Sequence, residues 1–160
     1  MTGWRDIDAD AVTALIRAAA ARHILPRFNR LAAHEIKQKT SPRDLVTVAD
    51  LETEQALTPA LKALLPGSEV VGEEETARDP AVMDRLDGDA PVWIIDPVDG
   101  TANFVDAVPR FAVLVALSAG EEIRLAWIHD PVRDVTAIAS AGGGAWLVEI
   151  VGRHDQPADA

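Results

Sequence analysis

The stretch Trp93–Phe104, WIIDPVDGTANF, decides how the chain is read. Val92 to Ile95 has the apolar run of a buried strand, which Asp96 ends. Pro97 then fixes the backbone, Gly100 permits close approach, and Thr101 is placed to cap a following helix. A turn of this kind aims the Asp96 and Asp99 carboxylates and the Val98 carbonyl into one small space. An oxygen-only cluster suits a hard cation such as Mg²⁺, and free N–H groups at Gly100 and Thr101 offer a seat for phosphate. Taken alone, however, Asp-Pro and Asp-Gly are ordinary turn dipeptides. A second acidic element, Gly72-Glu73-Glu74-Glu75, ends another apolar strand after Val70-Val71. Three adjacent acids repel one another unless solvated or neutralised, and such a run by itself reads as solvated surface.

Outward from these elements the periodicity changes. Val12, Leu15, Ile16 and Ala19 recur at helical spacing, predicting a first helix from about Asp8 whose regular part ends near Leu25, before Pro26. His34 to Arg43 is polar and reads as a mobile loop, with room for a short strand. A second helix is expected from Thr47–Asp50 to Leu65, on the stripe Leu57, Leu61, Leu64 and Leu65, with a bend at Thr58-Pro59 and a stop at Pro66-Gly67. Glu69–Gly72 reads as a strand and Pro80–Leu86 as a short helix. Strands follow at Phe111–Ser118, Ile123–His129, Val135–Ser140 and Ala145–Ile150. Two helices before a strand-rich half predict an α+β fold, the helices packed on a largely antiparallel sheet.

Composition narrows the function. The chain has 160 residues, 48% of them hydrophobic, enough for one domain or a large piece of one. A formal charge of −11 argues against nucleic acid or an anionic membrane as partner, unless bound cations reverse the local field. With no cysteine there is no disulfide, thiolate metal site or cysteine nucleophile, which fits a reducing compartment. The start of the chain has no secretory pattern, and the longest apolar run, Phe111 to Leu117, is too short to span a bilayer, so cytoplasm is the expected location. His23, His34, His129 and His154 show no ligand spacing and read as structural or surface, and Trp93 and Trp127 read as core.

LVTVAD (Leu45–Asp50), GEE (Gly72–Glu74), WIIDPVDGTANF and AGGGAW (Ala141–Trp146) resemble, in order and spacing, the signature of the inositol monophosphatase family of Mg²⁺-dependent, lithium-sensitive phosphatases. The resemblance runs from about Val12 to Leu147. It implies the N-terminal subdomain of a layered α/β sugar-phosphatase-like fold over residues 1–152, with a polar tail over 153–160. It also implies that Glu73, Asp96 and the Val98 carbonyl hold a first Mg²⁺, and that Asp96 with Asp99 contribute to a second. By the same resemblance Asp50 and Thr101 orient the attacking water, with Glu73 nearby, and Val98 to Thr101 form the substrate cradle whose Gly100 and Thr101 N–H groups receive the phosphate. Lys39 matches a loop lysine that screens the incoming charge, and as a residue type it reads equally as an exposed solubilising lysine. An intact member carries two or three Mg²⁺ ions, with Li⁺ as inhibitor, and acts on a small phosphorylated metabolite.

The departures matter as much. Nothing after Trp146 resembles the second subdomain, whose Trp-Asp motif supplies a further ligand and most substrate contacts. Glu75 stands where Ser or Thr is commoner, and Asp106 where His is frequent. The expectation is therefore a truncated or split member, with a weakened second metal position and an apolar surface open to association. One reading is a Mg²⁺-dependent phosphate monoester hydrolase, inositol monophosphate by default, with histidinol phosphate, fructose bisphosphate or a phosphoadenosine nucleotide as alternatives. Another is an impaired remnant acting as a metal-binding or interaction subunit, as a homodimer or beside a complementing C-terminal half. A third is an unrelated acidic α+β protein, which would bind no divalent ion.

Overall fold

Parallel pairing of two strands early in the sheet sets the geometry of everything around it. The computed structural model describes residues 3–149, so Ile150, His154 and the 153–160 tail lie outside the described residues. Strands β3 (Glu69–Gly72) and β4 (Val92–Asp99) run side by side with Gly72 opposite Ile95. Strands β5 (Ala112–Ala119), β6 (Glu122–Asp130), β7 (Val135–Ser140) and β8 (Gly144–Glu149) follow antiparallel, giving a six-stranded sheet in sequence order from β3 to β8. The α+β class and the largely antiparallel sheet expected from sequence are therefore present.

One face of the sheet carries the core. The inner row Ile95, Val115, Trp127 and Ile138 lies in register across β4 to β7, and the Trp93 ring lies tilted against that of Trp127, their centroids 6.1 Å apart. Helix α1 (Ala9–Ala19) and helix α2 (Val48–Leu64) press Val12, Ile16, Leu57 and Leu61 into that row. Asp8 caps α1 through the N–H groups of Asp10 and Ala11. Beyond Ala19 the helix widens into a π turn (Ala20–Ile24) and then tightens to a 3₁₀ turn holding Pro26, so its regular part ends earlier than Leu25. Pro59 sits inside α2 without ending it: Thr58 Oγ1 donates to the Glu54 carbonyl at 2.8 Å and the helix runs on to Leu64.

The other face is open. Alternation along the strands sends every second side chain outward. Leu114, Ile128, Ala137 and Leu147 form one cross-strand row, and Ala116, Ala126, Ala139 and Ala145 form the next. Ile128 is 54% exposed and Leu147 65% exposed. Asp96 pairs with Leu114, at the β4 end of the first of these rows.

Two expectations change in detail. The polar segment after His34 contains a real hairpin, with β1 (Ile36–Gln38) paired to β2 (Leu45–Thr47). The strand expected to stop before Asp96 continues to Asp99, with its ladder to β5 shifting between Asp96 and Asp99. That irregularity, with no backbone donor at Pro97, re-aims the two acids without breaking the strand.

Candidate functional site

Three strand-to-helix junctions converge at one corner of the molecule. β2 leads into α2, β3 into α3 (Glu73–Arg78), and β4 into α4 (Thr101–Val105). Because β3 and β4 are parallel, their ends arrive together, and the register that sets Gly72 against Ile95 brings Glu73 beside Asp96. A cavity of about 240 Å³ there is lined by Glu73, Asp96, Val98, Asp99, Gly100 and Thr101, together with Arg43, Asp44, Leu45 and Ala102.

Asp50 is fully buried, and each of its oxygens has a different task. Oδ2 accepts the Thr47 backbone N–H at 2.8 Å and the Thr47 hydroxyl at 2.7 Å, closing a capping box on α2. Oδ1 faces the Thr101 hydroxyl at 3.1 Å. Burial raises the Asp50 carboxyl above the usual carboxylate range, opposed by its Thr47 and Thr101 partners and supported by the Glu73 charge. The Thr101 hydroxyl also lies 2.9 Å from the Val98 carbonyl, so its one proton serves either oxygen. Thr101 is thus the first helical residue and not the cap expected from sequence; Gly100 takes the cap position at φ 88° with no side chain to offer.

The acids around the cavity crowd one another. Burial, then the neighbouring Glu73, Asp99 and Asp50, push Asp96 up to about 8. Its Oδ1 is buried without a hydrogen-bond partner. Unpaired buried carboxylate oxygen is costly, and a cation is the partner that removes both the loneliness of that atom and the repulsion between the acids. The donor set is all oxygen, so the residues fit Mg²⁺ by chemistry. As the side chains stand, no three acids or histidines among the described residues are already gathered at ligand distance. Part of the reason is visible: Glu73 Oε1 is engaged by the Lys39 ammonium at 2.9 Å.

Lys39 is not a solubilising surface residue. Its side chain is 14% exposed and bridges Glu73 and Glu74, each at 2.9 Å. Burial pulls its pKa down, but the hydrogen bonds it donates to Glu74 and Glu73 outweigh that and hold it above the usual lysine value. The acidic run is solvated surface only in part: Glu73 is exposed and Glu75 half-buried, but Glu74 is not. It opens a helix, and Glu74 is 3% exposed and pushed up to about 7 by burial, which its share of Lys39 only partly offsets.

The site residues singled out from sequence thus stand together, with Asp50 and Lys39 reaching the cavity wall through Thr101 and Glu73. The histidines stand apart: His23 pairs with Glu52, and His129 is buried against Thr136. Sequence reading missed Glu54, a buried acid on α2 whose carboxylate accepts the Glu74 N–H at 2.7 Å and the Glu75 N–H at 2.8 Å. Its position four residues after Asp50, on the same helix face, was the available signal.

Known proteins resemble the chain in sequence and in fold. The sequence profile of the inositol monophosphatase family matches residues 6–158. The inositol-1-monophosphatase of Bacillus subtilis is 36% identical over 149 residues, which is 93% of this chain and 53% of that protein. A fructose-1,6-bisphosphatase/inositol-1-monophosphatase of Thermotoga maritima is 32% identical over 112 residues, 70% of this chain and 40% of that one. A solved Thermotoga maritima IMPase superposes with a TM-score of 0.73 at 28% identity, covering 86% of this chain and 50% of its own. The chain therefore spans about half the length of the relatives it matches. With the profile extending over nearly all of it, the chain belongs to the inositol monophosphatase family.

Proposed function

We propose that the chain carries the metal- and phosphate-binding corner of a Mg²⁺-dependent phosphatase that hydrolyses a small phosphate monoester. The observation that carries this is the buried, partnerless Oδ1 of Asp96, a residue that lines one cavity with Glu73 and Asp99. Glu73, Asp96 and the Val98 carbonyl would hold one Mg²⁺, and Asp96 with Asp99 a second. Bound there, the ions would neutralise phosphoryl oxygens and acidify a water, which matters because uncatalysed phosphate monoester hydrolysis is extremely slow.

The chain's own groups then have distinct tasks. Asp50, anchored by Thr47, holds the Thr101 hydroxyl, and that pair positions a water for in-line attack at phosphorus. The Gly100 and Thr101 N–H groups receive the phosphate oxygens. Lys39 balances the acid charge beside them. The products are inorganic phosphate and the alcohol, whose oxygen takes a proton as the P–O bond breaks. Inositol monophosphate is the default substrate from the relatives' names, and a sugar bisphosphate is the nearest alternative given the dual name of the Thermotoga protein. No helix among the described residues is long and apolar enough to cross a membrane.

A second reading is favoured by the open apolar row on the sheet: a metal-binding subunit whose exposed sheet face is covered by a partner or a second copy. Calorimetry with Mg²⁺ and a phosphate-release assay, with and without Li⁺, separate the readings. Turnover that needs Mg²⁺ supports the phosphatase, and Mg²⁺ binding without turnover supports the subunit. Absence of Mg²⁺ binding at millimolar concentration overturns both. Asp96→Asn is expected to abolish Mg²⁺ binding, and Thr101→Ala to spare binding while removing most turnover.

A further inference from the structure

The GEE motif contains a glycine whose necessity lies outside the motif. A Cβ built on Gly72 would overlap the Glu54 carboxyl, with Oε1 only 2.5 Å away. That carboxyl is where the N-terminus of α3 is held, because Gly72 as cap residue has no side chain to accept the first free N–H groups. Glu54 accepts two of them, from Glu74 and Glu75. α3 has six residues, too few to hold its own shape in water, so its first residue is placed by what grips it from outside. That first residue is Glu73.

We propose that Glu54 is a positioning residue for Glu73: its buried carboxylate clasps the β3–α3 turn and sets Glu73 beside Asp96 against the mutual repulsion of the two acids. The inference rests on the reading of Glu73 as a metal ligand. Three features support it. Glu54 is 5% exposed and comes from α2, the helix that also carries Asp50, so one rigid element sets both. Both its oxygens are used, in hydrogen bonds of 2.7 and 2.8 Å in which an ionised acceptor is stronger than a neutral one. No other side chain among the described residues accepts those two N–H groups; Lys39 holds only the tip of Glu73. Gly72 is then required because the clasp occupies the space of its side chain, with its φ of −100° posing no demand of its own.

The test is Mg²⁺ affinity by calorimetry in the parent chain, in Glu54→Gln and in Ile138→Val, each also unfolded in urea. Glu54→Gln keeps the shape but presents an amide donor to one of the two N–H groups. Ile138→Val loosens the core in β7, away from the site, and shows what lost stability alone does to affinity. The expected result is at least a tenfold loss of Mg²⁺ affinity in Glu54→Gln and less than a twofold change in Ile138→Val, both measured where urea shows the chain folded. If Glu54→Gln does not fold, Glu54→Asp, one methylene too short to reach both N–H groups, takes its place under the same criterion. A parent that binds Mg²⁺ and a Glu54 variant that binds it equally well overturn this inference alone. A parent that binds none overturns the proposed function and this inference with it.

Discussion

Replacing Gly100 by alanine separates two physical effects that coincide at the β4–α4 turn. Gly100 has φ +88°, and an alanine there carries a left-handed strain of about 1–2 kcal/mol. Its new Cβ would also lie 2.8 Å from the Arg110 carbonyl oxygen and 3.4 Å from Phe111 Cα. That oxygen cannot simply retreat, because it accepts the Asn103 side-chain amide at 2.8 Å while the Arg110 N–H is bonded to Val108 at 2.7 Å. Forcing a methyl into such a fixed contact adds about 1–3 kcal/mol. Gly67 supplies the control: its φ is +87°, yet nothing lies within 4 Å of its Cβ position. Gly67→Ala is therefore expected to lose only the strain, about 1–2 kcal/mol. Gly100→Ala should lose about 2–5 kcal/mol in all.

Urea unfolding of parent and both variants, monitored by tryptophan fluorescence, reads the difference directly. At about 2–4 °C per kcal/mol for a chain of this size, thermal melts should rank them the same way. Equal losses at the two positions would refute the reasoning. They would mean that residues 110–111 are free to move away from the turn, and that the close approach there is not what calls for glycine.

Two further outcomes are expected. Without divalent ions, the pKa values raised above the ordinary carboxylate range at Asp96 (about 8) and Glu74 (about 7) mean that the folded chain holds protons the unfolded chain has released; their contribution to stability is complete below about pH 4 and lost as pH rises to 8. Stability of the parent minus that of Asp96→Asn should fall between pH 5 and 8, by at most about 1.4 kcal/mol per pH unit, and a flat or rising difference in urea melts would contradict the crowding of these acids. On the open sheet face, Ile128→Lys combined with Leu147→Lys should reduce concentration-dependent self-association in sedimentation velocity while leaving the urea midpoint nearly unchanged, and unaltered association would place the contact elsewhere.

What the sequence made legible follows from the range of the forces involved. The strands β5 to β7 and the start of α2 near Thr47–Asp50 rest on local signals, and they appear where period and residue type put them. The acids of β4 were legible as a cluster because Pro97 and Gly100 constrain the backbone between and beside them. The extent of β4 was not, since an irregular ladder keeps a strand going through residues that look like a turn. Burial of Glu74 and Lys39 was hidden for a different reason. Each looks like surface by composition, and only their pairing across the β1–β2 loop and α3, 35 residues apart, makes the interior tolerable to either.

The parallel register of β3 and β4 is the step on which the site depends most and which local sequence announces least. An antiparallel pairing of the same two strands would satisfy the same apolar pattern, yet it would carry Glu73 to the far end of β4 from Asp96. The crossover through α3 and the 3₁₀ segment Pro80–Asp87 decides between them, because a connection of that length returns the chain to the starting edge and lets β4 run in the same direction as β3. Arg85 fastens that connection, reaching the Val70 carbonyl at 2.5 Å and pairing with Glu75 at 2.9 Å. One residue on the crossover thereby grips β3 and α3 together. The turn that starts with Glu73 is thus held twice, by Glu54 from α2 through its N–H groups and by Arg85 from the crossover through Val70 and Glu75.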